Sequence, residues 1–392
     1  MTIMDTNLPE IYKKGGKDCY LDPIRKKLIY ITPEETVRQH ILSYLLEEIS
    51  VPENMIRVEE RLSHYGVSSK KRADIIIDKY NKEDDIFNPL AVIECKAPGV
   101  LIGEKAINQV VGYADELGCD YVMLSNGETS VFYKYHDGEY IMIEELPLYL
   151  EMIKQDFVPY KTMEKLPRIA FEELPQKSDE YLGYFIGEST DKLKREMMAN
   201  FLETILYLDS GFALKQYKIF KVIKDYGVRL LEYGNHGGGY FSGPYRSFLI
   251  EYEGSTEFVS IGVSTYVTSA RMDYIRTTIN VAIDNEKETH HSVQIVVDEN
   301  MQIIGNRCRI YHHGRIGVSN LGSGKVSELR TFVDEEMPEL IDGNRFFMGE
   351  LCHDKLWSFD QPEFEKLIEN LISYALIRDK YRAWIKKNKI SK

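Results

Sequence analysis

Apolar residues recur at helical spacing in the segment "ITPEETVRQHILSYLLEE" (31–48). Thr32 has the residue type of an N-cap, Pro33 stands at the first helical position, and Glu35 follows three residues after the cap. The apolar positions fall on one side of the helix at Val37, Ile41, Tyr44 and Leu45. This pattern predicts a helix over about 33–49.

Period-two and continuous apolar runs follow this helix. They predict three strands, a helix and two further strands, at 55–62, 72–78, 89–97, 103–118, 121–127 and 129–135 in that order. Asp137-Gly138 marks a turn. "RADIIID" (72–78) shows little alternation, as expected of a strand covered on both faces. The first 150 residues therefore predict an α/β domain, a mixed sheet flanked by helices.

The remainder of the chain has a different pattern. Residues 151–210 turn helical and contain proline joints, which predicts a helical connector. Between 214 and 315, several β-type runs are separated by turn residues, and 325–392 is again helical in character. We expect 211–392 to be an α+β domain with an antiparallel sheet, of recognition or regulatory role.

Composition excludes several classes of protein. With 392 residues and 43% hydrophobic content the chain can bury a large core, and it has no apolar run of membrane-spanning length. The start of the chain lacks signal-peptide features, so we expect a cytoplasmic protein without a membrane partner. Five scattered cysteines without CxxC spacing indicate reduced thiols rather than a disulfide framework or a zinc site.

The charge is unfavourable for a broad contact with nucleic acid. The net charge is −13, and residues 1–150 carry 17 Lys and Arg against 26 Asp and Glu, a net −9. Binding to a polyanion depends on basic residues that displace counterions. Any such partner would have to meet a local basic patch, such as "SSKKR" (68–72), or divalent cations.

The stretch "AVIECKAPG" (91–99) places Glu94 and Lys96 on one face of a predicted strand, because side chains alternate with a period of two. Asp74 lies in the preceding strand and can approach the same face. Buried ions are tolerated when they are paired or bind metal, and two acids beside one lysine leave negative charge in excess. Mg²⁺, with Mn²⁺ as a substitute, would answer that excess, and the backbone carbonyl of Cys95 could be a further ligand. The alternative is a structural ion pair between neighbouring strands.

This D…ExK pattern resembles the PD-(D/E)xK nuclease superfamily, and most closely the N-terminal nuclease domain of type I restriction enzyme R subunits. The resemblance runs from about 32 to 135 and includes "RADIII", "AVIECKAPGV", "NQVVGYA" and "VMLSNGETSVFYKY". It implies a restriction-endonuclease-like fold, with Asp74 and Glu94 as metal ligands and Lys96 as the catalytic lysine. Gln109 and Tyr113 match the QxxxY element of that family and would position the DNA backbone.

Glu35 matches the first-helix acid of related nucleases and would hold a metal-bound water. A capping box with Thr32 explains the same glutamate without a metal.

The resemblance implies a Mg²⁺-dependent DNA endonuclease of restriction or anti-phage defence type. The alternatives are a non-catalytic or accessory nucleic-acid-binding protein on a nuclease scaffold, and a nuclease directed at RNA. We expect no ATP site and no ATP-dependent translocase, because in "GSGKVS" (322–327) Val326 replaces the Ser or Thr of a Walker A loop, and Ser319 its first glycine. A homodimer and a partner subunit both stay open.

Overall fold

The computed structural model describes residues 3–154, 168–234, 240–268, 271–284, 291–318 and 322–390. The chain forms two compact units, Met1–Glu164 and Lys165–Lys392. This division differs from the three-part arrangement expected from the sequence, in which 151–210 formed a connector. The helix Lys192–Leu206 lies in that segment, and its apolar residues belong to the buried core of the second unit.

A small antiparallel sheet precedes the predicted domain. Its strands are β1 (Ile11–Lys14), β2 (Lys17–Leu21) and β3 (Leu28–Tyr30). Gly15 and Gly16 join the first two strands with φ values of 55° and 78°. A two-residue hairpin turn of this kind needs positive φ at both positions, which glycine adopts without steric cost. The apolar pattern of the sequence does not predict this sheet.

The main sheet of the first unit has six strands in the order β4-β5-β6-β7-β8-β9. In chain order the elements are α1 (Pro33–Glu47), β4 (Ile56–Arg61), β5 (Arg72–Asn81), β6 (Ile86–Cys95), α2 (Glu104–Leu117), β7 (Tyr121–Ser125), β8 (Ser130–His136), β9 (Glu139–Ile143) and α3 (Tyr149–Ile153). The predicted order of one helix, three strands, one helix and two strands is confirmed, and β9 is additional. Asp137 and Gly138 form the predicted turn before β9, with φ values of 49° and 100°.

Strand direction follows from the connections. β6 and β7 are parallel, and every other neighbouring pair in this sheet is antiparallel. A parallel pair needs a long crossover, and α2 supplies it. The result is a mixed α/β sheet with flanking helices, as the resemblance implied.

Apolar side chains cover both faces of this sheet. Ile75, Ile76 and Ile77 are consecutive in β5, and each is 0% exposed. Ile75 and Ile77 belong to the core that includes Val37 and Ile41 of α1, whereas Ile76 belongs to the core on the α2 side. Because consecutive strand residues point to opposite faces, three buried neighbours require cover on both. The acids and the lysine of the candidate site lie where these apolar strands end.

The second unit contains the predicted antiparallel sheet, divided into two. Five strands form the order β10-β11-β12-β13-β14, and four form the order β15-β16-β18-β17. In chain order the elements are α4 (Leu174–Glu180), α5 (Lys192–Leu206), β10 (Lys221–Gly234), β11 (Tyr240–Tyr252), β12 (Ser255–Thr268), β13 (Arg271–Ile283), β14 (His291–Val296), α6 (Val297–Asn300), β15 (Met301–Ile304), β16 (Arg307–His312), α7 (Val326–Glu336), β17 (Ile341–Asp342), β18 (Arg345–Cys352) and α8 (Pro362–Ile390).

Two segments of this unit carried predictions from the sequence. The segment 325–392 is helical in α7 and α8 but also contributes β17 and β18, which the apolar pattern did not reveal. Residues 322–325 lead directly into α7, while Ser319 lies outside the described residues. Within the described ranges, no helix is long and apolar enough to span a membrane.

Candidate active site

The predicted pair Glu94 and Lys96 meets at the end of β6. Lys96 Nζ donates a hydrogen bond to Glu94 Oε1 at 2.7 Å. Gln109 Nε2, on α2, donates to the same oxygen at 2.8 Å and also to Tyr113 Oη at 3.0 Å. Gln109 and Tyr113 are four residues apart and so share a helix face. Four of the predicted site residues therefore form one connected chain of hydrogen bonds.

Asp74 lies on the neighbouring strand. Ile75 of β5 pairs with Ile93 of β6, so Asp74 and Glu94 occupy the adjoining positions of the two antiparallel strands. The backbone N–H of Cys95 donates to Asp74 Oδ2 at 2.7 Å. This bond ties the Asp74 carboxylate to the residue between Glu94 and Lys96.

Arg38 of α1 belongs to the site and was not predicted from the sequence. Its Nη2 donates to Asp74 Oδ1 at 2.7 Å and lies 3.0 Å from Glu59 Oε1. Its Nη1 donates to Glu35 Oε2. The side chain is only 6% exposed, so this guanidinium is a buried cation shared by several carboxylates. The sequence feature that could have identified Arg38 is its spacing of three residues from Glu35 in a predicted helix, which allows the two side chains to pair.

Glu35 is brought to this cluster but not as a free ligand. The Thr32 side chain accepts from the Glu35 backbone N–H at 3.1 Å, which confirms the predicted N-cap. The Glu35 carboxylate accepts instead from Arg25, Arg38 and Gln39, the last at 2.7 Å. Only one of the two bonds of a capping box is therefore present, the one from the Glu35 N–H to the Thr32 side chain. The Glu35 carboxylate belongs instead to a buried network of ion pairs and hydrogen bonds.

Burial and charge shift the acid–base behaviour of the pair. Burial, and then the charge of Asp74, raise the pKa of Glu94. Burial alone would lower the pKa of Lys96, but the hydrogen bond from Lys96 to Glu94 and the charge of Glu94 outweigh it and raise the pKa. Lys96 is therefore an ammonium ion in this arrangement, and it acts on its surroundings as a cation.

The donor set fits a hard divalent cation of the Mg²⁺ type. Within the described parts of the chain, no group of three or more His, Cys, Asp or Glu side chains is placed to hold a metal. Two carboxylates, from Asp74 and Glu94, remain as side-chain donors, and Mg²⁺ commonly uses one or two carboxylates with waters. Each Asp74 oxygen accepts one hydrogen bond and keeps a second lone pair for a cation. Glu94 Oε1 already accepts two, from Lys96 and Gln109, so Glu94 would bind a cation through Oε2.

The balance of charges around the site also favours a divalent cation. Two groups of ion pairs lie around Asp74 and Glu94 in the described part of the chain: five carboxylates with three arginines, and Glu94 with Lys96. Together they carry two more negative than positive charges. The acids are Asp22, Glu34, Glu35, Glu59, Asp74 and Glu94, and the bases are Arg25, Arg38, Arg72 and Lys96. A dication would balance this excess.

A mixed sheet that presents two carboxylates and a lysine at the ends of adjacent strands is the layout expected of a PD-(D/E)xK nuclease domain. Comparison with known families agrees: residues 33–147 match the family described as the N terminus of the type I restriction enzyme R protein (HSDR_N). This match confirms the resemblance predicted for about 32–135 and extends it to residue 147.

One solved structure is similar to part of the chain. It is the fragment described as an HsdR subunit of a type I restriction enzyme from Vibrio vulnificus YJ016, with 16% identity and a TM-score of 0.23. The match covers 44% of this chain and 32% of that chain, so this chain spans about a third of that relative. No curated protein matches the chain.

Proposed function

We propose that this chain is a Mg²⁺-dependent endonuclease that hydrolyses phosphodiester bonds of DNA in a restriction or anti-phage defence role. The observation that carries the proposal is the cluster in which Lys96 and Gln109 both donate to Glu94, beside an Asp74 carboxylate held by the Cys95 N–H. The family match supports DNA as the substrate, because its description names a subunit of a restriction enzyme.

Asp74 and Glu94 would hold the cation, with the backbone carbonyl of Cys95 as a further ligand. Bound there, Mg²⁺ lowers the pKa of a coordinated water and stabilises charge that develops on a phosphate oxygen. Mn²⁺ prefers the same oxygen ligands and would substitute.

The chain's own residues have separate tasks. Lys96 places an ammonium group beside the two acids, where it neutralises negative charge on the phosphate in the transition state. Gln109 fixes the Glu94 carboxylate through its 2.8 Å bond and holds Tyr113 at 3.0 Å, so that this helix face positions the DNA backbone. Hydrolysis would leave a 5′-phosphate and a 3′-hydroxyl, and in our proposal it proceeds without ATP.

A purely structural ion pair explains this cluster less well. Burial raises the pKa of Glu94, and the neighbouring charge of Asp74 raises it further, so the charged form of Glu94 is destabilised at this position. A scaffold has no physical need for that repulsion, since apolar residues of similar volume are often at least as stable as a buried ion pair. A metal site does need two neighbouring acids, because the cation that they bind offsets their repulsion.

The proposal is tested by incubating the purified protein with plasmid DNA and Mg²⁺ or Mn²⁺, beside Asp74→Ala and Lys96→Ala. We expect metal-dependent cutting by the parent chain and a loss of about 100-fold or more in each variant. The matched control is Lys79→Ala, which removes another lysine ion-paired to a carboxylate (Asp120, 3.0 Å) from the same unit. That variant should cut at the parent rate.

Other outcomes have defined meanings. Equal cutting by all four proteins would reject the enzyme hypothesis. DNA binding with no cutting by the parent chain would support the accessory binding protein on a nuclease scaffold. Cutting of RNA but not DNA would keep the chemistry and change the substrate.

A further inference from the structure

The guanidinium of Arg38 is the centre of a buried network around Asp74. Its two terminal nitrogens have different partners: Nη2 bonds to Asp74 and lies near Glu59 and Glu34, at 2.7, 3.0 and 3.7 Å, while Nη1 bonds to Glu35. Arg38 thus joins helix α1 to the strand that carries Asp74. Neither the sequence motif nor the family description assigns it a role.

The network continues away from Asp74 through Glu35. The Glu35 carboxylate accepts from Arg25 and Gln39, and Gln39 Nε2 also donates to Asp22 Oδ2 at 2.6 Å. Arg25 Nε donates to that same oxygen of Asp22 at 2.9 Å. Asp22 and Gln39 are 0% and 1% exposed. Glu35 is therefore fixed by its own partners and can hold Arg38 in one orientation.

Two bonds determine the orientation of the Asp74 carboxylate. Oδ2 accepts from the Cys95 N–H, and Oδ1 accepts from Arg38. With both bonds the carboxylate plane is fixed; with one, it can turn about its Cβ–Cγ bond. A planar guanidinium reaches Asp74 and Glu35 at the same time, which the point charge of a lysine cannot do.

We propose that Arg38, held by Glu35, is a positioning residue that sets the Asp74 carboxylate in its metal-binding orientation. The inference rests on the proposed nuclease function and adds residues that act through Asp74. It also gives Glu35 a role different from the metal-bound water expected from the resemblance. Partners that orient a metal ligand typically contribute about 10- to 100-fold to metal affinity or activity.

The test compares the full-length protein with Arg38→Lys, which keeps the charge and loses the fork. Mn²⁺ affinity of the metal-free protein is measured by calorimetry, and plasmid cleavage supplies kcat and KM. We expect a Kd for Mn²⁺ weakened by about 10- to 100-fold and a similar fall in kcat, with KM for DNA unchanged. The control is Arg57→Lys, whose ion pair with the buried Asp78 spans 3.3 Å; it should bind Mn²⁺ and cut like the parent.

Glu35→Gln provides a second variant that keeps size and weakens the hold on Arg38. It should change Mn²⁺ affinity and kcat in the same direction and less strongly. The double variant should fall within about twofold of Arg38→Lys alone, because both changes act through one network. If Arg38→Lys does not fold, Glu35→Gln alone decides the question by the same two readouts.

The failures are distinguishable. If the parent chain neither binds Mn²⁺ nor cuts, the nuclease proposal fails and the positioning role fails with it. If the parent does both and the folded Arg38→Lys variant matches it, only the positioning role is overturned. A lower Tm in Arg38→Lys with unchanged Mn²⁺ affinity would show a structural role and also overturn it.

Discussion

Gln109 donates hydrogen bonds to Glu94 and to Tyr113. Substitutions at Gln109 and at Tyr113 can therefore separate the effects of the two residues on cleavage. Gln109→Ala removes the 2.8 Å bond to Glu94 Oε1 and leaves that oxygen held by Lys96, so we expect kcat to fall by about 10-fold or more while the fold persists. Tyr113→Phe leaves the Gln109–Glu94 bond in place and removes the hydroxyl that we propose positions the DNA backbone, so we expect KM to rise more than kcat falls. Steady-state cleavage kinetics measure both; equal effects on kcat from the two variants would contradict the division.

The Glu94–Lys96 pair was predicted from local spacing, whereas Gln109 and Tyr113 were singled out by the family resemblance; the structure brings each pair together. Glu94 and Lys96 share a face because strands have a period of two, and Gln109 and Tyr113 share one because helices bring i and i+4 together. Arg38 escaped because its decisive partner, Asp74, lies 36 positions away on a strand. A charged residue in a helix ordinarily predicts a solvated face, and only the packing of α1 against the sheet shows that this one is buried.

At the scale of elements, Asp78 links β5 to the preceding strand and turn. Its side chain is 1% exposed, Tyr65 donates to its Oδ1 at 2.8 Å, and Arg57 of β4 lies 3.3 Å from its Oδ2. Burial raises the pKa of Asp78 from 3.8 to about 6, although Tyr65 and Arg57 oppose the shift.

This shift predicts a specific pH dependence of stability. Between pH 4 and about 6 the folded state binds the proton that the unfolded state has lost, so the contribution of Asp78 to the free energy of unfolding falls as pH rises and is constant above that window. The expected loss is about 2 to 3 kcal/mol. Urea unfolding of the parent chain and of Asp78→Asn, each at several pH values, measures the difference. An identical pH profile for both proteins would contradict the assignment.

Elements with long apolar runs were predictable, and those without were not. β5 and β6 are ten residues long, and each contains a continuous apolar run that predicted a strand covered on both faces. β1 and β2 contain Lys13, Lys14, Lys17 and Asp18, and only the Gly15-Gly16 pair signalled a hairpin there. β18 (Arg345–Cys352) lies between two helices, and its pairing with β16 depends on residues about 40 positions earlier.

For the whole molecule, the net charge of −13 limits how the protein can meet DNA. A polyanion gains little from a negatively charged partner unless cations intervene. We therefore expect binding of labelled duplex DNA, measured by fluorescence anisotropy, to be at least about 10-fold tighter in Ca²⁺ than in EDTA. Ca²⁺ supplies the charge of Mg²⁺ with looser coordination geometry, so it should support binding without cutting. The Asp74→Ala variant should bind DNA equally well with and without Ca²⁺. Equally tight binding of the parent chain in EDTA and in Ca²⁺ would contradict the prediction.

The division of the chain was the hardest feature to predict. Helix α5 has the amphipathic composition of a connector, yet its apolar side chains complete the core of the second unit together with β11 and β12. Whether a helix joins two domains or belongs to one depends on long-range packing, which local periodicity does not encode.

The central claim is that Asp74 and Glu94 together hold one hard dication. The most direct measurement is anomalous difference density from crystals of the protein grown with Mn²⁺. The claim predicts one strong peak with oxygens of both carboxylates at about 2.0 to 2.3 Å. No peak there at saturating Mn²⁺, or a peak bound by only one of the two acids, would contradict it.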